Sequence, residues 1–127
     1  MTDQHRVVLT MGTFDILHSG HISLFKQCRK IAGESGTVIA TVNSDEFVEK
    51  HKDRPAAQGE EDRRAIVEAL EFVDEVDILY SDHDAVVMME QLLEGYRYDS
   101  DLFVVVGSDW APPVDYYGRL GASPEWF

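Results

Sequence analysis

The chain has 127 residues, 44% of them apolar, and a formal net charge of −13 at pH 7. That length suits one domain with one core, and that apolar fraction argues against intrinsic disorder. The acidic balance excludes a protein that wraps nucleic acid; no apolar run could cross a bilayer and MTDQHRVV lacks a signal-peptide pattern, so a cytoplasmic protein is expected.

In chain order, Val7 to Met11 is an apolar strand ending in a glycine and a polar turn, residues 12–21. Ile22, Leu24, Phe25, Cys28 and Ile31 then recur at three- and four-residue steps, an amphipathic helix. The lone Cys28 lies on its apolar face and is expected to be a buried core thiol. After a break at 33–36, Thr37 to Val42 reads as a buried strand, followed by a turn with a helix cap at 43–45 and a short helical turn from Glu46. Residues 49–60 show no apolar periodicity and read as a polar loop. Ile66, Val67, Leu70 and Val73 predict a second amphipathic helix, with acids at 60–62 where its dipole favours them. Val76 to Tyr80 is a short strand, Ser81-Asp82 can cap a third long helix carrying Val86, Val87, Met88, Met89, Leu92 and Leu93, and Leu102 to Val106 is a central strand ending at Gly107-Ser108-Asp109-Trp110. Strands alternating with helices predict an α/β domain, a doubly wound parallel sheet with its ligand at the carboxyl ends of the strands.

Three polar stretches follow strands: 12–21, 43–54 and 107–110. In the first, His18 and His21 stand three apart where a helix begins, among backbone N–H groups that attract anions. Gly20 between them would let a ligand approach the backbone, and imidazole N–H groups can stabilise charge on a phosphoryl group in transfer. One such histidine would read as a cap or a surface residue; GTFDILHSGH after a strand reads as a phosphate site. Asp15 could orient a histidine or cap the helix. Five of the eleven Lys and Arg (Lys50, Lys52, Arg54, Arg63, Arg64) fall between 50 and 64, a local basic patch on an acidic domain. An arginine at a helix start opposes the dipole, so Arg63 is expected to reach phosphate oxygens.

GTFDILHSGH resembles the HxGH nucleotidyltransferases, most closely the cytidylyltransferases of the glycerol-3-phosphate type, and the resemblance runs along nearly the whole chain. EEDRRAIVEALEFVDEV and Gly107-Ser108-Asp109-Trp110 resemble further family segments, the latter with serine for an aspartate. The resemblance implies a Rossmann-like fold and transfer of a cytidylyl group from CTP to a small phosphorylated alcohol. The acceptor phosphate would attack the α-phosphate in line, pyrophosphate leaving. His18 and His21 would stabilise the transition state, with Lys50, Lys52 and Arg63 neutralising charge. Thr13, Phe14, Asp15, Ser19, Gly20, Lys52, Gly107 and Asp109 would join the histidines around the nucleotide, and Lys50 and Trp110 would meet the acceptor. Mg²⁺ would accompany the triphosphate, with no metal held by the protein, and a homodimer is expected.

VNSDEFVEKHKDRP also resembles heptose-phosphate adenylyltransferases, which makes adenylyl transfer to a sugar phosphate the alternative. The chain departs from the glycerol-phosphate pattern in carrying Glu71 where relatives often have arginine, and no lysine in residues 77–95. It is expected to be a single domain without the Arg-Thr-x-Gly-Ile-Ser-Thr-like stretch of relatives, since Pro124-Glu125-Trp126-Phe127 comes first. A nucleotide-binding domain without turnover is the third reading.

Overall fold

The computed structural model describes residues 5–81, 87, 90, 91, 94, 100–106 and 123–126. Five strands, β1 (His5–Gly12), β2 (Thr37–Asn43), β3 (Glu75–Leu79), β4 (Ser100–Val106) and β5 (Ser123–Trp126), form one sheet. Its order is β3-β2-β1-β4-β5 and every pairing is parallel. Three helices are described in full: α1 (Ser19–Ala32), α2 (Asp45–Lys52) and α3 (Glu60–Glu68). This is the expected doubly wound arrangement. The strand order reverses between β1 and β4, and at such a switch point loops diverge to leave a crevice. Thr10, fully buried, donates its hydroxyl to the Val105 carbonyl at 2.8 Å and ties the two strands together near that end.

Both faces of the sheet are apolar. Val8, Val38, Ala40, Val42 and Val105 pack with Leu24, Phe25 and Cys28 of α1 and Val67 of α3. Val7, Leu9, Ile39 and Val104, one residue out of phase, are equally buried, as in a parallel sheet covered on both sides. Cys28 is inert: burial pushes its thiol up to about 12. Among the described residues no helix is long and apolar enough to cross a membrane.

Three elements differ from expectation. The first is α2, which continues through 49–52, where a loop was expected. It needs little periodicity because Val48 is its single buried residue. Ser44 caps it, accepting the Phe47 N–H at 3.1 Å. Acids at 45 and 46 and bases at 50 to 52 complement its dipole, and Asp53 ends it in the left-handed region at φ 55°.

The second is α3, which ends at Glu68, short of Leu70 and Val73. The Ala69 N–H is shared among carbonyls, and Leu70 and Val73 donate to Val67 and Leu70 in tighter turns that still seat both side chains on the core. The third is β5, which was not expected at all; Pro124 stands opposite Val104 there, tolerable because β5 is an edge. Of the third helix expected after Ser81-Asp82, only Val87, Glu90, Gln91 and Glu94 are described, and all four are helical.

Candidate active site

The turn between β1 and α1 is built from unusual backbone. Phe14 and Ile16 both have positive φ, 52° and 54°, a region that costs a non-glycine residue on the order of 1–3 kcal/mol. Phe14 recovers that cost through burial: its ring is 4% exposed, which contributes about 2 kcal/mol. The ring folds back over Gly12, where a Cβ would lie 2.9 Å from it, so a side chain at 12 would have to displace the ring. It packs on Phe25 at 4.9 Å and presents its face or edge to His21 at 5.7 Å in a T-shaped contact. Ile16 is 60% exposed and has no such recovery.

What holds the turn is a segment forty residues downstream. Both Asp15 carboxylate oxygens accept backbone N–H groups, from Ala57 at 2.8 Å and Gln58 at 2.9 Å. In return Gln58 Oε1 accepts the Ile16 N–H at 3.0 Å. Partial desolvation pushes the Asp15 carboxyl up. The two backbone donors, with Arg63 and Arg54 nearby, outweigh this and hold it below its ordinary 3.8. Asp15 therefore neither orients a histidine nor caps α1; its oxygens are spent on the loop.

Arg63 is also placed differently from expectation. It is 0% exposed, the largest fully buried side chain among the described residues. Its Nε donates to the Gln58 carbonyl at 2.8 Å, Nη1 to the carbonyls of Thr13 at 2.9 Å and Asn43 at 2.6 Å, and Nη2 to Asp45 at 2.7 Å. The guanidinium thus joins the turn after β1, the end of β2, the start of α2 and the loop before α3. It is a clamp, and with its donors so engaged it does not reach a phosphate. Asn43 adds a second link, its Nδ2 donating to Thr13 Oγ1 at 3.2 Å.

On this frame stand the histidines. His18 caps α1: its Nδ1 accepts the Gly20 N–H at 3.0 Å, and His21 Nδ1 accepts the His18 N–H at 3.2 Å. This is a capping box made of two imidazoles. Each Nδ1 being an acceptor, the hydrogen-bond network leaves Nε2 as the N–H donor of both rings. The rings stack with centroids 3.9 Å apart and planes 29° from parallel. Gly20 serves this geometry, because a Cβ there would sit 2.8 Å from the His18 ring. Desolvation, the neighbouring His18 and then Lys52 lower the His21 pKa and disfavour its protonated form.

Lys50 and Lys52 lie in the last turn of α2, both exposed. Two residues apart on a helix, they cannot face the same way. The charge of Lys52 acts on His21 and disfavours its protonated form. Ser19 is exposed at the start of α1, and Thr13 contributes its carbonyl and hydroxyl to the clamp. Gly107, Asp109 and Trp110 lie outside the described residues. Sequence reasoning did not find Gln58, Asn43 or Asp45. A polar residue at the end of a strand could have pointed to Asn43, but nothing in the local pattern marks Gln58.

The sequence profile described as cytidylyltransferase-like matches residues 9–120. The chain belongs to the cytidylyltransferase-like family. Within this family it is 40% identical over 76 residues to a protein named FAD synthase from Korarchaeum cryptofilum, a match covering 60% of this chain and 52% of that one. An FAD synthase from Methanopyrus kandleri is 45% identical over 67 residues, 53% of this chain and 44% of its own. The bifunctional protein HldE of Koribacter versatilis is 34% identical over 111 residues, 86% of this chain but 20% of that protein. The chain thus spans about half the length, or less, of the curated relatives it matches. A solved structure of a lipopolysaccharide core biosynthesis protein from Thermoplasma volcanium superposes with a TM-score of 0.69 at 22% identity, covering 95% of this chain and 93% of that one. That likeness bears on the fold, which is the Rossmann-like fold expected of a cytidylyltransferase-like protein.

Proposed function

We propose that this chain transfers a nucleotidyl group from a nucleoside triphosphate to a phosphorylated acceptor, with release of pyrophosphate. The observation that carries the reading is the pair of stacked imidazoles, both with Nδ1 occupied and Nε2–H to give. A group passing through a five-coordinate phosphoryl transition state gains negative charge on its equatorial oxygens. Two fixed N–H donors and an ammonium stabilise that charge without reorganising. The acceptor phosphate is itself the nucleophile, so the chain supplies positioning and charge rather than a covalent intermediate. In this scheme His18 and His21 donate to the α-phosphoryl group, Lys52 neutralises the triphosphate, and Lys50, on another face of α2, is left for the acceptor side. Mg²⁺ enters as part of the nucleotide.

The donor we favour is ATP. Several relatives are named FAD synthase, and making FAD joins an adenylyl group to a flavin phosphate. Transfer from CTP to a glycerol-phosphate-like alcohol is the second reading, supported by the family description and the motif resemblance. Incubation with ATP or CTP labelled at the α-phosphorus, across flavin, sugar and glycerol phosphates, separates them. Label is expected to move onto one acceptor from ATP; movement from CTP alone would favour the second reading, and no movement with any pair would count against transfer by this chain.

A further inference from the structure

Ile16 is β-branched, 60% exposed, and held at φ 54°, two residues before the histidine that caps α1. Its own side chain gives no reason for that conformation, and rotation there would redirect the peptide units that deliver His18. The contact that opposes relaxation is the 3.0 Å hydrogen bond from its N–H to Gln58 Oε1. Gln58 is suited to hold it because its backbone is fixed on both sides. Its N–H is bound to Asp15 and its carbonyl to the buried Arg63. We propose that Gln58 is a positioning residue, keeping Ile16 left-handed so that His18 and His21 hold the stacked geometry that presents both Nε2–H groups.

Strain at a site that carries function is held by surrounding contacts, and here it has one side-chain holder that can be removed without disturbing the core. The consequence for turnover rests on the proposed phosphoryl-transfer reading; the placement of the imidazoles does not. The test is therefore read first on the rings. In the full chain with ¹⁵N-labelled histidine, the nitrogen shifts of the wild type are expected to show the Nε2–H tautomer at both His18 and His21. Gln58→Met, of similar length but without a comparable acceptor, should lose that tautomer preference while keeping its thermal midpoint within a few degrees. Turnover, where the transfer reading holds, should fall about tenfold or more, with a smaller change in KM. Adding Ile16→Asn, a residue that tolerates the left-handed region, should restore both the tautomer signature and kcat. Unchanged imidazole shifts in Gln58→Met would overturn the proposal. So would shifts that stay altered in the double variant. If the wild type transfers nothing from any donor, the functional reading fails while the ring shifts still decide the role of Gln58.

Discussion

Replacing Arg63 distinguishes a clamp from a phosphate ligand. In Arg63→Ala, three carbonyls and the Asp45 carboxylate lose their donor, and a cavity opens at a site that is 0% exposed. Breaking a buried charged network costs about 3–5 kcal/mol. Asp45 is half exposed, with a side chain 51% accessible, so water can take over that contact and the lower end applies, about 3 kcal/mol. Against a total stability of roughly 5–15 kcal/mol that is a large fraction. It corresponds to a fall in thermal midpoint of roughly 10 °C for a chain of this length. Arg63→Lys should recover little, because one ammonium cannot span four acceptors set around a planar fork. Scanning calorimetry and urea titration of both variants measure this. A midpoint unchanged in Arg63→Lys, with activity abolished, would refute the clamp and return Arg63 to the phosphate.

Three other expectations follow from the site. Because the His21 pKa is depressed in the folded chain, folding binds fewer protons than the unfolded state in the window below 6.5. Stability should therefore rise with pH through that window and level off above it, and His21→Asn should flatten that part of a midpoint-against-pH series. Lys52→Ala should remove a repelling charge from His21 and raise its titration midpoint by NMR, whereas Lys50→Ala should leave it where it is. Gly20→Ala, which would ordinarily favour a helix, should instead displace the His18 ring and lower turnover, read as a loss in kcat at matched folding.

How much of this was written in the chain depends on the range of the interactions. The strand, glycine turn and helix of residues 5–32 follow from local periodicity, and so does the histidine pair, whose capping bonds span only two or three residues. The helix α2 was half hidden because it buries one side chain, and a polar helix held by its caps and charge order gives no apolar period. The strand β5 carries a proline, which local rules demote, and only its position at the sheet edge admits it. Arg63 misled for a different reason. A dipole argument sees the helix start beneath it but not the carbonyls of Thr13, Asn43 and Gln58, which tertiary folding brings around it from as far as fifty residues away. Gln58 was out of reach on the same ground, since its meaning lies wholly in the left-handed backbone of Ile16.

The central claim is that the stacked imidazoles do the chemistry. Pyrophosphate release by the full chain with its best donor and acceptor, compared with His18→Ala and His21→Ala at equal folded fraction, tests it most directly. Each substitution is expected to lower kcat by roughly a hundredfold or more, the scale of losing a preorganised donor to a transition state, while the triphosphate still binds. Release that survives both substitutions within a factor of a few would contradict the account.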